Sequence, residues 1–300
     1  MTLIIDPQTG GIAGNMIIGA LVDLGANPEE LKKIMESVTT QFGKVKVNFN
    51  KVNKCGIDST YCNVELLSEN KHVHYKDLIA KIDSLELDEK VKETSKNIFK
   101  RIAIAESKVH GKNLDEIHFH EVGASDAVAD VIGSVYAYYS LNLDKEEVIG
   151  LPVALGGGRV KTAHGILPVP APAVLEILKD INCIGGPVDS ELATPTGCAI
   201  YAELCSEFKK FIPPCKTSKV AYGAGKKDFD FPNVLRVIKT KEITESDQID
   251  VIETNIDHLT GEEIGYLFDK LLEEGASDVS VTPIIMKKNR QGSLLKVIAN

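Results

Sequence analysis

The chain has 300 residues, a formal net charge of −9, and 43% apolar and 26% charged residues, which is an ordinary globular composition. An acidic chain with 6% aromatic residues and no Trp is a poor candidate for binding DNA or RNA. No apolar run approaches the roughly 20 residues of a membrane span, and the N-terminus has no signal-peptide core. We therefore expect a cytoplasmic protein without a membrane partner.

The first elements follow from hydrophobic periodicity and turn residues. Residues 3–5 are predicted to form a strand, and a helix is expected from about Asn15 to Leu24. A second helix should begin near Pro28, which suits a first helical position. The alternating segment 44–67 predicts two strands joined by a turn at Cys55-Gly56.

The middle of the chain is predicted to contain most of the helices, with strands towards its end. Residues 150–173 are rich in Gly and Pro, and their apolar neighbours indicate a functional loop rather than a linker. The remaining elements are expected as a helix near 77, helices over 88–109, 125–141, 173–178 and 196–208, and strands within 217–237.

A polar, charged segment, 241–248, is predicted to be a linker between an N-terminal domain, 1–240, and a C-terminal piece, 249–300. That piece shows a β-α-β unit and one further strand. We expect the start of a ferredoxin-like domain that is incomplete, because about 50 residues with a helix on one face bury little surface. The predicted fold class is α+β (mixed α/β), with a large N-terminal α/β domain.

The strongest candidate site is a metal centre formed by His118 and His120 with Asp126 and Asp130. Alternate residues of an extended segment share a face, so the two imidazoles can converge on one ion. The two aspartates, four residues apart, share a face of the following helix. Nitrogen and oxygen ligands of this kind suit nickel, zinc, iron or manganese. The alternative is that Asp126 only stabilises a helix N-terminus and that the histidines are solvated.

Two weaker metal candidates lie elsewhere in the chain. His72 and His74 form a second pair of alternate histidines, in a polar loop, and this pair either captures divalent metal or is simply solvated. Asp6, at the end of the first strand, is either a carboxylate ligand or a turn former.

Two turns are candidates for binding an anionic cofactor through helix N-termini. Gly11, Gly14 and Asn15 lie in a glycine turn between a strand and a helix, where backbone N–H groups can cradle a phosphate. The spacing is not GxGxxG, and no GK[ST] follows. Thr194 and Thr196 open a later helix, either as a cap alone or as a second anion site.

A third candidate is the basic turn of Lys287, Lys288 and Arg290. Three cations in an acidic protein can bind a polyphosphate, and Glu253 and Asp257 can hold the accompanying divalent ion. The alternative is a charged edge that discourages aggregation.

Five segments carry a family resemblance: IIDPQTGGIAGNMIIGALVDLG, HFHEVGASDAVADVIG, TAHGILPVPAP, ELATPTG, and TNIDHLTGEEIGYLFDKLLEEGASDV followed by TPIIMKK. Together they resemble the nickel insertion proteins of the lactate racemase cofactor pathway (the LarC family) from the first strand to the last residues. The chain departs from that family at Asn15, where GDM is expected, and in KKNRQG, where KKGRPG is expected. We also expect family members to continue for about 100 further residues, roughly a domain.

The resemblance implies nickel insertion into a pyridinium mononucleotide that bears two thiocarboxylate groups. It further implies consumption of CTP with Mn²⁺ or Mg²⁺, a CTP site and homo-oligomer contacts in the C-terminal domain, and lactate racemase or a related apo-enzyme as the recipient. A base must accept the ring proton that nickel displaces. His120, Glu121 and His164 can do so, and Glu121 and His164 are the catalytic candidates.

Two other functions remain open from the residues. The same histidines and acids can serve a non-catalytic nickel store or metallochaperone. They can also activate water in a metal-dependent hydrolase.

Overall fold

The computed structural model describes residues 1–69, 73–119, 125–162, 165–241 and 249–299. The chain divides into two compact units, Met1–Glu242 and Ile243–Asn300. Both contain helices and sheets, which confirms the predicted mixed α/β class. Among the described residues, none of the helices is long and apolar enough to cross a membrane.

The first unit contains helices and short and long strands in mixed order. Its described helices are α1 (Gly14–Leu24), α2 (Pro28–Val38), α3 (Tyr75–Asp83), α4 (Glu89–His110), α5 (Ser125–Ser140), α6 (Pro172–Ile177) and α7 (Pro195–Leu204). Its described strands are β1 (Thr2–Asp6), β2 (Gly43–Lys54), β3 (Ile57–Glu69), β4 (Val73–His74), β5 (His118–Phe119), β6 (Glu147–Gly150), β7 (Val153–Ala154), β8 (Arg159–Thr162), β9 (Gly165–Pro168), β10 (Cys183–Ile184), β11 (Glu207–Phe208), β12 (Lys216–Ala224) and β13 (Val234–Lys241).

Among the described residues, the main sheet has seven strands in the order β11-β6-β1-β13-β12-β3-β2. Strand β1 is parallel to β6 and antiparallel to β13, so it has a hydrogen-bonded neighbour on both sides. Its four residues from Leu3 to Asp6 are buried. Asp6 and the glycine turn, at the carboxyl end of β1, therefore have a fixed position in the fold.

Capping residues set the helix boundaries that the sequence predicts. The Asn27 side chain accepts hydrogen bonds from the N–H groups of Glu29 and Glu30, so α2 begins at Pro28. The Asp88 side chain caps α4, and Gly111 ends that helix in the left-handed conformation. These predicted starts and stops are confirmed.

Helix α1 packs closely on strands β3 and β12 and also contacts α5 and α7. The close approach requires glycine on both sides. A Cβ atom on Gly19 would lie 2.3 Å from the carbonyl oxygen of Thr60, and one on Gly223 would lie 1.8 Å from that of Met16. The position of α1, and of the turn before it, is therefore fixed by backbone contact.

The second unit contains β14 (Asp250–Ile256), α8 (Gly261–Glu273), β15 (Asp278–Met286) and β16 (Arg290–Ala299). Strand β16 lies between β14 and β15 and is antiparallel to both. Helix α8 begins with a capping box between Thr260 and Glu263. A small apolar cluster supports the sheet: Ile256, Val279, Leu295 and Val297.

Candidate functional site

The glycine turn between β1 and α1 is held by the segment that precedes α7. The N–H of Ile12 donates to the carbonyl of Leu192 at 2.9 Å, and the N–H of Thr194 donates to the carbonyl of Ile12 at 3.0 Å. Gly11 has φ of 70°, and a Cβ atom there would lie 2.2 Å from the Leu192 oxygen. Only glycine fits this position without displacing the neighbouring backbone.

Residues 189–194, the 189–194 segment, also form hydrogen bonds with two further loops. The N–H of Gly157 donates to the carbonyl of Ser190 at 3.3 Å. The ammonium group of Lys227 donates to the hydroxyl of Ser190 at 2.7 Å. The segment thus brings the glycine turn, the Gly-rich loop at 156–158 and the loop before β13 together.

Thr194 caps α7, as predicted, because its hydroxyl accepts a hydrogen bond from the N–H of Gly197 at 3.2 Å. A Cβ atom on Gly197 would lie 2.6 Å from the Cα of Ala13, so the start of α7 rests on the glycine turn. Thr196 is half-buried in the first turn of α7. Anion binding at these two helix starts remains a prediction.

Asp130 lies at the N-terminus of α1, against Gly14 and Asn15. Burial, together with the charge of Asp126, raises the pKa of Asp130 to about 8, while the backbone N–H of Asn15 acts in the opposite direction. Its Oδ1 atom is buried and has no hydrogen-bond partner among the described residues. Such an oxygen can carry a proton or be satisfied by a water molecule or a cation.

Asp126 stands one turn before Asp130 on α5 and is half-buried. Its Oδ1 accepts a hydrogen bond from the N–H of Ala127 at 2.8 Å. The electrostatic effect of Asp126 on Asp130 is what residues four apart on one helix face should show. The two carboxyl groups therefore form a pair at the beginning of α5.

The two histidine motifs meet through their backbones. Strands β4 and β5 are antiparallel, and their register opposes His74 to His118 and Val73 to Phe119. Phe119 is buried and its ring lies 6.3 Å from that of Phe99. Strand β5 ends six positions before α5 begins, so the paired histidine strands closely precede the acid pair in sequence.

Four predicted site residues lie outside the described residues: His72, His120, Glu121 and His164. The predicted linker lies outside them as well, apart from Lys241, which ends β13. Within the part of the chain that the structure describes, no group of three or more His, Cys, Asp or Glu residues could hold a metal ion. The described residues thus supply only part of the predicted ligand set.

Asp6 is already bound by other groups of the protein. The Nε of Arg236 donates to its Oδ2 at 2.9 Å, and the N–H of Gln8 donates to its Oδ1 at 3.2 Å. A metal ion at Asp6 would have to compete with Arg236. The role of Arg236 is not visible in the sequence, because no local pattern links residues 230 positions apart.

In the second unit the basic turn joins β15 to β16. Lys288 has φ of 63°, and Lys287, Lys288 and Arg290 are all exposed. A cavity of about 500 Å³ lies between the end of β14, the start of α8 and the β15–β16 hairpin, with Asp257 in its lining. Glu253 is paired with Lys296 at 3.3 Å.

The sequence profile of the family described as "Nickel insertion protein" matches residues 3–300. The chain belongs to this family. The match covers both units, the glycine turn, the paired histidine strands and the acid pair of α5.

Individual relatives agree with the family match over nearly the whole chain. A relative from Methanosphaera stadtmanae, with only a provisional assignment as a nickel insertion protein, is 52% identical over 99% of this chain and 75% of its own length. The pyridinium-3,5-bisthiocarboxylic acid mononucleotide nickel insertion protein of Staphylococcus epidermidis is 44% identical over 96% of this chain and 72% of its own length.

One solved structure is similar in sequence over a short stretch. It is the apo form of LarC2, the C-terminal domain of a cyclometallase involved in the synthesis of the NPN cofactor of lactate racemase. It is 46% identical but covers 18% of this chain and 39% of its own chain, with a TM-score of 0.17. A TM-score this low does not establish a shared fold.

Proposed function

We propose that the chain inserts nickel into pyridinium-3,5-bisthiocarboxylic acid mononucleotide, the compound that appears in the names of its relatives from Staphylococcus. The observation that carries this proposal is the strand register that sets His74 opposite His118, shortly before the acid pair of α5 in sequence. Imidazole nitrogens and carboxylate oxygens can bind nickel in the protein. The softer sulfur ligands of the acceptor can then take the ion from them.

In the proposed reaction, nickel is a substrate that passes from the protein to the organic acceptor. Two thiocarboxylate sulfurs and one ring carbon of the acceptor bind the ion. The C–H bond at that carbon breaks, the Ni–C bond forms, and the proton moves to a protein base. Glu121 and His164 are the candidate bases. The carboxyl group of Asp130 lies beside the turn of Gly14. Its buried Oδ1 atom can bind the ion before transfer.

The second unit is proposed to bind CTP with Mn²⁺ or Mg²⁺. Lys287, Lys288 and Arg290 offer three exposed cations for phosphate oxygens, and Asp257 lines the nearby cavity and can hold the divalent ion. This proposal treats residues 249–300 as the start of a ferredoxin-like domain joined to residues 1–240 by a linker, 241–248. Homo-oligomer contacts through that domain, a cytoplasmic location and delivery to lactate racemase or a related apo-enzyme belong to the same proposal.

The proposal is tested by mass spectrometry of the organic product. The full chain is incubated with Ni²⁺, the bisthiocarboxylic acid mononucleotide, CTP and Mg²⁺, and the nickel adduct is quantified with and without CTP. The adduct should form with the wild type and fall at least about tenfold in Asp126→Asn/Asp130→Asn, because the metal donor site is weakened. Tight nickel binding without any adduct would instead indicate a store or metallochaperone, and hydrolysis of the acceptor would indicate a hydrolase.

A further inference from the structure

The loop between β12 and β13, residues 225–233, carries two stacked aromatic rings. We call it the aromatic loop. The rings of Phe229 and Phe231 are 5.0 Å apart between centroids and inclined by only 9°. Both residues are half-buried, and neither belongs to the hydrophobic clusters of the described residues. A parallel aromatic pair outside the core is a surface on which a flat ring can stack.

The aromatic loop is fixed by hydrogen bonds at several points. The carbonyl of Lys227 accepts from the side-chain amide of Asn233 at 2.8 Å and from the ammonium of Lys54 at 3.3 Å. The thiol of Cys55 donates to the carbonyl of Phe229 at 3.3 Å. The backbone that carries the rings is therefore held in place before any ligand arrives, which lowers the entropic cost of binding.

The aromatic loop borders the glycine turn. A Cβ atom on Gly10 would lie 2.5 Å from the backbone nitrogen of Val234, the residue that follows the loop. The hydrogen bond from Lys227 to Ser190 ties the other side of the loop to the 189–194 segment. The loop with the stacked rings therefore contacts both the glycine turn, against which Asp130 packs, and the 189–194 segment.

The charges around the rings suit a zwitterionic ligand. Lys226 is exposed and has no ion pair or hydrogen bond within the described part of the chain. Asp228 is balanced by Lys54, with which it forms a 2.5 Å ion pair. Asp230, between the two phenylalanines, is exposed and favours a positively charged ring nearby. An unpaired ammonium group and two aromatic rings in the same loop fit a cationic heteroaromatic ring that carries a phosphate group.

We infer that Phe229, Phe231 and Lys226 form the docking site for the pyridinium mononucleotide, an assignment that rests on the proposed function. The pyridinium ring stacks on the phenylalanine pair, where cation–π attraction adds to stacking. The phosphate group binds Lys226.

Calorimetric titration of the full chain with nicotinate mononucleotide, in the absence of nickel, tests this assignment. Phe229→Leu/Phe231→Leu keeps apolar side chains but removes the π-faces. It should weaken binding about fivefold or more, as expected for the loss of one ring stack. Ribose 5-phosphate, which has no pyridinium ring, should bind equally to this variant and the wild type. Lys226→Ala should weaken both ligands.

Matched controls separate stacking and charge from general surface effects. Phe211→Leu changes an aromatic residue that is 71% exposed, and Lys112→Ala removes an exposed lysine elsewhere, so both should bind nicotinate mononucleotide like the wild type. Each variant must also keep the wild-type thermal midpoint, which shows that it is folded.

The assignment is overturned if the leucine double variant binds nicotinate mononucleotide as tightly as the wild type, or if the folded wild type does not bind it. The nickel-insertion assay distinguishes these failures from failure of the proposed function. Wild-type insertion kinetics in the leucine variant would reject the docking site and leave the function standing. Ring-dependent binding by a wild type that inserts no nickel would reject the function and leave a pyridinium-mononucleotide site.

Discussion

Asp130 lies so close to Gly14 that a Cβ atom on residue 14 would be 2.5 Å from both Cβ and Oδ2 of Asp130. The glycine turn and the acid pair of α5 are therefore one structural unit, although they are more than a hundred residues apart in sequence. Any larger residue at position 14 must displace the buried carboxyl group.

Gly14→Ala should lower the free energy of unfolding by about 1–3 kcal/mol, the usual cost of overpacking a close contact. The measurement is urea denaturation monitored by circular dichroism. Gly185→Ala is the control, because a Cβ atom there meets nothing within 4 Å. Equal stability of Gly14→Ala and the wild type would contradict the close packing of Asp130.

Asp130 should make the metal-free protein less stable as pH rises. Its pKa is about 8 in the folded protein and ordinarily 3.8, so over that interval the folded state binds a proton that the unfolded state has released. The free energy of unfolding therefore falls as pH rises through this window. Asp130→Asn should flatten that part of the slope in denaturation series with a chelator present. An unchanged slope would show that Asp130 ionises normally.

Arg236 should be needed to keep Asp6 buried. Arg236→Gln leaves an almost fully buried carboxylate without its cation and should cost about 1.5–3 kcal/mol, the range for a charged hydrogen bond. Asp6→Asn/Arg236→Gln should be more stable than Arg236→Gln alone, because no buried charge is left unpaired. Chemical denaturation of the three variants measures this, and additive losses would reject the pairing.

The basic turn should be required for CTP binding. Lys287→Ala/Lys288→Ala removes two exposed cations and should weaken CTP binding, measured calorimetrically with Mn²⁺, by about tenfold. Lys270→Ala is the matched control, since that lysine is paired with Glu273 at 2.8 Å. If the control and the double variant bind CTP alike, the phosphate site lies elsewhere.

Local signals account for most of what the sequence predicted correctly. Pro28 and Gly111 mark helix boundaries because their effect is confined to a single turn. The capping role of Thr194 also depends only on residues within three positions. The acid pair on α5 follows from helical spacing alone.

Contacts between distant residues could not be predicted in this way. The register that opposes His74 to His118 depends on how two short strands meet, which neither segment specifies by itself. The ion pair of Asp6 with Arg236 arises because β1 lies beside β13, a topology that the sequence pattern leaves undefined. The same holds for the contact between Lys227 and Ser190.

The central claim is that the paired histidine strands and the acid pair of α5 hold the nickel that is to be inserted. The most direct measurement is calorimetric titration of Ni²⁺ into the wild type, His118→Ala/His120→Ala, Asp126→Asn/Asp130→Asn and the control His258→Ala, whose histidine is exposed in the second unit. We predict tight binding by the wild type and the control, and a loss of at least tenfold in both double variants. Wild-type affinity in the two double variants would contradict the claim.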